Sequence, residues 1–189
     1  MKSSLKNMVL VLMVITLVAS AAVGGIYMLT KEPIEQAKIA KTNAAIAEVM
    51  PEFDNDPSGE KIKVACDADT VMVYPAKMGG EAVGYAVECF ANGFGGKMSL
   101  LVGFLPDGTI QKISVLGHSE TPGLGDKIEP AKSNFSVQFE GVNPETMNLA
   151  VKKDGGEVDA ITASTISSRA YIEAVKQAYN TYRGVLRTP

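Results

Sequence analysis

The N-terminal part of the chain is dominated by one uninterrupted apolar run. Residues 8–29, MVLVLMVITLVASAAVGGIYML, contain no charged side chain. As a helix rising 1.5 Å per residue they would span about 33 Å, enough to cross a hydrocarbon core of about 30 Å. Lys2, Lys6 and the small residues 19–21 also fit a cleavable signal peptide, but the apolar run continues beyond them. We therefore favour a retained transmembrane anchor, residues 1–30, over a cleaved signal.

After this run the hydrophobic pattern changes twice. Residues 34–50 are rich in alanine, with Ile39, Ile46 and Met50 at near-helical spacing, and Pro51 follows them, which predicts a helix. Short runs of apolar, strand-forming residues come next, separated by the turn signals GG, NG and PDG. Such tight turns join antiparallel neighbours. The predicted strands cover residues 61–65, 71–74, 82–90, 97–104 and 110–116.

The last third of the chain mixes loop, strand and helix signals. The stretch GHSETPGLGDKIEP, residues 117–130, is predicted to be irregular because of its glycines and prolines. We interpret NFSVQF, MNLAVKK and VDAIT as further strands. From Ser168 onward apolar residues recur at helical spacing, which predicts a helix capped by Ser167 or Ser168 and ended at Gly184. The positions that carry this spacing are Tyr171, Val175, Ala178 or Tyr179, and Tyr182.

Together these elements predict an α+β protein, in which helices flank an antiparallel sheet and one transmembrane helix precedes it. Residues 31–189 would form the folded domain. Lys2 and Lys6 precede the apolar run, so the positive-inside rule places the N-terminus in the cytoplasm and the domain outside. Residues 31–189 hold 16 of the 18 basic residues and all 21 acidic ones, a formal charge of −5. This charge argues against nucleic acid or anionic lipid as a partner.

The residues that usually carry metal or thiol chemistry are scarce. Cys66 and Cys89 are the only cysteines, too few for a disulfide framework or a cysteine-based zinc site. Two buried free thiols are expected, and a disulfide between them is the alternative. His118 is the only histidine and cannot form a multi-histidine site, so no metal site is predicted.

The stretch VDAITASTISS, residues 158–168, is unusually rich in hydroxyls. A helix cap accounts for Ser167 or Ser168 only. Residues 159–165, DAITAST, resemble the flavinylation motif Asp-x-x-(Ser/Thr)-Gly-Ala-Thr of FMN-binding domains in membrane electron-transport complexes. Ala163 and Ser164 replace the motif's glycine and alanine. The resemblance implies covalent FMN, joined through its phosphate to Thr165 by a flavin transferase that recognises Asp159, with Thr162 as a further motif residue near the cofactor.

A second stretch supports the same resemblance. Residues 118–128, HSETPGLGDKI, are similar to the Glu-Thr-Pro-Gly-Leu-Gly loop that lies against the flavin ring in that family. The resemblance implies polar contacts from Glu120 and Thr121, an apolar contact from Leu124, and close backbone approach at Gly123 and at the glycine two residues later. The short stretch GFGG, residues 93–96, is a third match.

A phosphodiester on Thr165 would lie just before the terminal helix, where unpaired amides and the helix dipole favour an anion. Ser167 would complete the phosphate site, and Lys152 or Lys153 would supply a cation.

Taken over the whole chain, the likeness is closest to the G subunits of Rnf complexes, membrane ferredoxin:NAD oxidoreductases that couple electron flow to ion translocation. It implies an electron-carrying subunit in the cell membrane, with the other subunits as partners and no catalytic residue of its own. Three alternatives remain open. They are a C-type subunit of a sodium-translocating NADH:quinone oxidoreductase, a stand-alone exported flavoprotein, and an assembly module without flavin.

Overall fold

A computed structural model describes residues 4–66 and 69–187 of the chain. The chain divides into two compact units, residues 1–41 and 42–189, and each is described by itself. Helix α1 (Leu5–Val49) forms the described part of the first unit and continues into the second. By length and composition it is able to cross a membrane, and it is the only such helix in the part of the chain that the structure describes. The division into an anchor, 1–30, and a domain, 31–189, stays a prediction.

The two helices expected on either side of Pro33 are one continuous helix, and Pro33 lies inside it. Proline cannot donate to the carbonyl four residues earlier, here that of Leu29. Leu29 is 79% exposed, so water can satisfy this carbonyl when it lies outside the apolar part of a membrane. The helix therefore continues through a position that commonly ends or kinks one.

The second unit is built on a five-stranded antiparallel sheet in which every strand pairs with its sequence neighbours. The expected fold class, α+β, is confirmed. Glycine permits the tightest connection, since Gly79 and Gly80 both have positive φ, 59° and 89°, between the second and third strands. The strands are β1 (Ile62–Cys66), β2 (Asp69–Met78), β3 (Glu81–Asn92), β4 (Lys97–Phe104) and β5 (Ile110–Gly117).

Helix α2 (Thr165–Arg187) covers one face of the sheet. The alternate residues Met98, Leu100, Val102 and Phe104 of β4 all belong to this core cluster, as the two-residue period of a strand requires. From α2 the cluster receives the residues whose helical spacing predicted the helix: Tyr171, Val175, Ala178, Tyr179 and Tyr182. The helix is longer than expected, because it begins at Thr165 and continues through Gly184 to Arg187.

The opposite face of the sheet is covered by the end of α1. Ile46 and Val49 are buried there against residues of β2, β3 and β4. The approach is close enough that a Cβ on Gly103 would collide with the backbone oxygen of Val49. Glu48 adds polar contacts to β5, an ion pair with Lys112 at 2.9 Å and a hydrogen bond from the Ser114 hydroxyl at 3.2 Å. The last turns of α1 are thus part of the folded core of the second unit.

Between β5 and α2 the chain forms no strand, and three predicted strands were wrong. In NFSVQF, Phe135 and Phe139 are four residues apart and both buried, while Val137 is 50% exposed. A turn of 3₁₀ helix, Ser136–Phe139, places both rings in the core, against Tyr171. In the other two runs only a single bridge forms, Val151 to Val158, because these residues close on each other around a left-handed turn at residue 155.

The cysteines lie on strands that are not neighbours. Cys66 is in β1 and Cys89 in β3, with β2 between them. Two strand spacings of about 4.8 Å exceed the Cα separation that a disulfide tolerates. Cys89 is a free, buried thiol whose pKa is raised by burial and by the nearby Glu88 carboxylate, which makes it unreactive.

Replacing Gly103 by alanine should destabilise the domain by about 2–3 kcal/mol, because the new methyl group must push the end of α1 away from the sheet. Gly184 is the matched control. A Cβ there meets nothing within 4 Å, and alanine in a helix interior is favoured by about 0.5–1 kcal/mol over glycine. Chemical denaturation of the full chain in detergent, followed by circular dichroism, measures both. If the unfolding free energy of Gly103→Ala were no lower than that of Gly184→Ala, the close packing of the end of α1 on the sheet would be contradicted.

Candidate functional site

The hydroxyl-rich stretch 158–168 forms the entry into α2, and Thr165 is the first residue of that helix. Ser168, an expected cap, lies inside the helix and is fully buried. Its hydroxyl accepts the Ile161 N–H at 2.9 Å and donates to the Ser164 carbonyl at 3.0 Å. Neither Ser167 nor Ser168 precedes the helix, so the expected cap position is wrong by three or more residues. Ser168 instead holds the preceding loop against the first turn.

The loop needs one unusual backbone conformation. Ala163 has φ of 62°, and it is the only non-glycine residue with positive φ among residues 4–66 and 69–187. A side chain in this left-handed region costs roughly 1 kcal/mol, which glycine avoids. The position is the one at which the flavinylation motif has glycine. The loop therefore adopts the conformation that suits glycine although alanine occupies the position.

A buried carboxylate connects this loop to two others. Glu120 is 5% exposed. One of its oxygens accepts the Ser167 hydroxyl at 2.5 Å, in the first turn of α2, and the other accepts the Gly95 N–H at 3.2 Å. Buried hydrogen bonds to a charged group are among the stronger ones in proteins, each contributing about 1.5–3 kcal/mol. Glu120 thus joins the loop after β5, the turn between β3 and β4, and the start of α2.

Two glycines make room for this carboxylate. A Cβ on Gly93 or on Gly125 would collide with a Glu120 oxygen, and one on Gly125 would also lie 2.8 Å from the Ser167 hydroxyl. Gly93 of GFGG and Gly125 of ETPGLG therefore serve the same packing requirement. This requirement explains physically why the two stretches occur together in one chain.

His118 belongs to a neighbouring hydrogen-bond network. Its Nδ1 accepts the Glu120 N–H at 3.1 Å, and its Nε2 lies 2.6 Å from Glu129. Nε2 therefore carries the proton and donates it to Glu129. Lys132 bonds Glu129 at 2.9 Å and Asp126 at 3.1 Å. The hydrogen bonds from Lys132 and His118 lower the pKa of Glu129. Because the His118 ring bonds both the Glu120 N–H and the Glu129 carboxylate, it holds the backbone that carries Glu120.

A cavity of about 400 Å³ opens where these three segments meet. Its rim is apolar, since Phe94, Leu124 and Ile166 are 70%, 42% and 52% exposed around it. Its polar wall contains Glu120 and the residues at the start of α2. A volume of this size, with mostly apolar walls and a few convergent polar groups, is typical of a site for a small organic ligand. The complete lining is Phe94, Glu120, Thr121, Leu124, Gly125, Ala163, Ser164, Thr165, Ile166 and Ser167.

The part of the polar wall that is formed by the start of α2 suits an anion. As the first three residues of a helix, Thr165, Ile166 and Ser167 have amides without acceptors inside that helix. These amides, with the positive end of the helix dipole, form a favourable environment for a phosphate group. Thr165 lines this wall and is half-buried.

The remaining predicted residues lie elsewhere. Asp159 and Thr162 line a second cleft, on another side of the same loop. Lys152 forms an ion pair with Asp159 at 2.8 Å and is not among the residues that line the first cavity. Gly123 has φ of 78°, so it shapes the turn that carries Leu124. The sequence analysis did not single out Phe94 and Ile166. An aromatic residue between two glycines was the available sequence signal for Phe94.

The chain is similar to known proteins over most of its length. Residues 93–180 match the FMN-binding domain family. The G subunit of the ion-translocating oxidoreductase complex of Pasteurella multocida is 39% identical over 182 residues, covering 89% of each chain. The G subunit of the complex from Vibrio atlanticus is 35% identical over 188 residues, covering 94% of this chain and 90% of the other.

Among solved structures, the C subunit of the Na(+)-translocating NADH-quinone reductase from Parabacteroides distasonis is similar over 79% of this chain and 84% of its own, with 23% identity and a TM-score of 0.49. A likeness at this identity and this TM-score does not bear on function.

All residues that line the cavity lie within 93–180, the stretch that matches the FMN-binding domain family. The residues present fit FMN, because an apolar rim that can contact a flat ring lies beside a helix N-terminus that can hold a phosphate. More particularly, the chain belongs to the family of G subunits of ion-translocating oxidoreductase complexes.

Replacing Ala163 by glycine should stabilise the domain by about 0.5–1 kcal/mol, because relief of the left-handed strain exceeds the entropy that glycine adds to the unfolded chain. Ala160, an exposed residue of the same loop, has no positive φ, so Ala160→Gly should destabilise by about 0.5–1 kcal/mol. Thermal or chemical unfolding of the flavin-free chain gives both values. Changes of the same sign in the two variants would show that Ala163 is not strained.

Ser167→Ala should cost about 2–3 kcal/mol, because it leaves an oxygen of the buried Glu120 without a donor. Ser136 provides the control, since its hydroxyl is also buried and has no hydrogen-bond partner within residues 4–66 and 69–187. Ser136→Ala should therefore be nearly neutral. Unfolding free energies of the flavin-free variants measure the difference, and equal losses would argue against the Glu120 link.

Proposed function

We propose that this chain is the electron-transfer subunit of an ion-translocating oxidoreductase complex, with FMN attached through its phosphate to the Thr165 hydroxyl. The observation that carries the proposal is the position of Thr165. Thr165 is half-buried at the N-terminus of α2 and lines a cavity whose rim is apolar. The family membership supports the coarser statement, an FMN-containing subunit of such a complex.

The groups around the cavity divide into three tasks. The first amides of α2 stabilise the phosphate, which keeps about one negative charge as a diester. Phe94, Leu124 and Ile166 offer the apolar surface that a flavin ring covers when it leaves water. Glu120 and Ser167 hold the three segments at a fixed separation. FMN, when bound, supplies the capacity to accept and release electrons one or two at a time.

Attachment has a physical rationale in an extracytoplasmic domain. A flavin that dissociates from an open site is diluted into the surroundings, whereas a tethered flavin keeps a high effective concentration at its pocket. The apolar rim is half open, so retention by contacts alone would be weak. The orientation belongs to the same proposal: Lys2 and Lys6 precede the apolar run and favour a cytoplasmic N-terminus in the cell membrane, with the FMN domain outside.

The other predicted residues keep roles within this proposal. Thr121 and Leu124 contact the flavin, and Gly123 sets the turn that presents Leu124. Asp159 and Thr162 serve recognition by the transferase. Lys152 acts on the phosphate only through the long-range field of its charge, since it is paired with Asp159. The subunit has no catalytic site of its own, and its partners are the other subunits of the complex.

Thr165→Val should abolish covalent flavin while leaving the fold intact, because it removes only the nucleophilic oxygen and keeps the branched shape. The full chain is co-expressed with its flavin transferase and examined by intact mass and by flavin fluorescence in a denaturing gel. Thr162→Val and Ser164→Ala are the matched controls and should keep the adduct. Flavin persisting on Thr165→Val would move the attachment site, and a wild-type chain without covalent flavin would overturn the proposal.

A further inference from the structure

A second cleft, of about 400 Å³, lies against the loop that leads to Thr165. One wall is made by that loop, including Asp159 and Thr162, and the other by residues 127–138, which no part of the flavinylation motif includes. The two walls are far apart in sequence. The complete lining is Lys127, Ser133, Asn134, Phe135, Gln138, Asp159, Ala160, Ile161 and Thr162.

Gln138 fastens the two walls together. Its side-chain oxygen accepts the Asp159 N–H at 2.8 Å, and its side-chain nitrogen donates to the Asp159 carbonyl at 3.2 Å. The same nitrogen also donates to the Phe135 carbonyl at 2.9 Å. One amide side chain thus pairs with both backbone groups of Asp159, as a neighbouring strand would.

This pairing fixes the Asp159 backbone but leaves its carboxylate accessible. The Asp159 side chain is 73% exposed, and the Lys152 side chain that pairs with it is 60% exposed. An ion pair this exposed contributes little free energy, so a partner with its own cation can displace Lys152 at small cost. Thr162 is exposed as well, whereas Ile161 and Ser164 are buried. Every third residue of the loop is therefore buried, and the two between are exposed, which leaves Asp159 and Thr162 accessible beside the cleft.

The two sides of the loop thus differ in what they can bind. Thr165 faces the first cavity, where the flavin phosphate would lie, and Asp159 and Thr162 face the second cleft. An enzyme that delivers a flavin to Thr165 brings the flavin donor to the mouth of the first cavity, which Thr165 lines. The exposed residues of the second cleft remain free for it to contact.

We propose that the flavin transferase recognises a composite surface, formed by Asp159, Thr162 and the wall of residues 133–138, and that Gln138 is the positioning residue that holds this surface together. The proposal rests on the proposed function, since it presumes modification at Thr165. It adds a docking surface that the linear motif does not contain. On this proposal the transferase supplies a positively charged side chain that pairs with Asp159 and a protruding segment that enters the cleft.

The transfer itself balances with a flavin dinucleotide as donor. The Thr165 oxygen forms a bond to the phosphorus that bears the flavin, and the pyrophosphate bond of the donor breaks. The hydroxyl proton passes to a base on the transferase, and the nucleoside monophosphate leaves. Gln138 takes no part in these bond changes. Its role is to present the loop in one conformation before they occur.

Gln138→Met tests the positioning role, because methionine keeps the length of the side chain and loses all three hydrogen bonds. The full chain in detergent is incubated with purified transferase and flavin dinucleotide, and the rate of adduct formation is followed by fluorescence. We expect kcat/KM to fall about tenfold or more, the effect of losing one or two net hydrogen bonds. The final extent of labelling should stay complete. Gln138→Glu keeps the acceptor for the Asp159 N–H. Its kcat/KM should therefore lie between the values of the wild type and of Gln138→Met.

Gln177→Met is the matched control. Its side-chain oxygen likewise accepts a backbone N–H, that of Phe90 at 3.1 Å, and it is in α2 away from the motif. Its labelling kinetics should equal those of the wild type even if both variants lose some stability. An unchanged or faster rate for Gln138→Met, with the wild-type chain labelled normally, overturns this proposal alone. A wild-type chain that is not labelled at Thr165 overturns the proposed function as well.

A second variant tests the composite surface without changing Gln138 or its hydrogen bonds. Asn134 is exposed at the cleft wall, and Asn134→Arg places a long, positively charged side chain across it. We expect KM for the protein substrate to rise about tenfold or more, with the melting temperature unchanged. Asn180→Arg, at an exposed position of α2 beside another cleft, should leave KM unchanged. Equal KM values for the two arginine variants would also overturn the composite surface.

Discussion

The buried Glu120 carboxylate is the interaction on which the rest of the site depends. A charge placed in the interior is tolerated only when its oxygens are paired, and here the pairs come from Ser167 in α2 and from Gly95 in the turn between β3 and β4. This requirement brings three distant segments together, and the cavity forms where they meet. Gly93 and Gly125 follow from the same requirement, since a side chain at either position would occupy the space of the carboxylate.

Much of the fold could be predicted because its signals are local. The strands and their turns are neighbours in sequence, and the helical spacing of Tyr171, Val175 and Tyr182 is independent of what they pack against. The long segment between β5 and α2 could not be predicted this way. Phe135 and Phe139 are apolar residues that suit either a strand or a turn of helix, and only the position of Tyr171 decides between the two.

The site shows the same division between local and long-range information. The resemblance of two short stretches to a known family indicated the chemistry and the residues to examine. It did not distinguish a residue whose polar atoms are free to contact a ligand from one whose polar atoms are already bonded within the protein. Glu120, expected near the edge of the flavin ring, has both oxygens bonded to the protein. Lys152, expected near the phosphate, is bonded to Asp159. These roles depend on the direction of each side chain and on its partners elsewhere in the fold. The spacing of residues along the chain reveals neither of these.

Helix α2 follows the five strands along the chain, and this order has a consequence for the sequence of events during synthesis. The five strands pair with their immediate neighbours and can form as they are made, against the end of α1, which precedes them. The other face of the sheet stays uncovered until α2 has been synthesised and packed. Thr165 acquires its surroundings only at that point. A modifying enzyme that requires the folded loop would therefore act only after α2 has packed against the sheet.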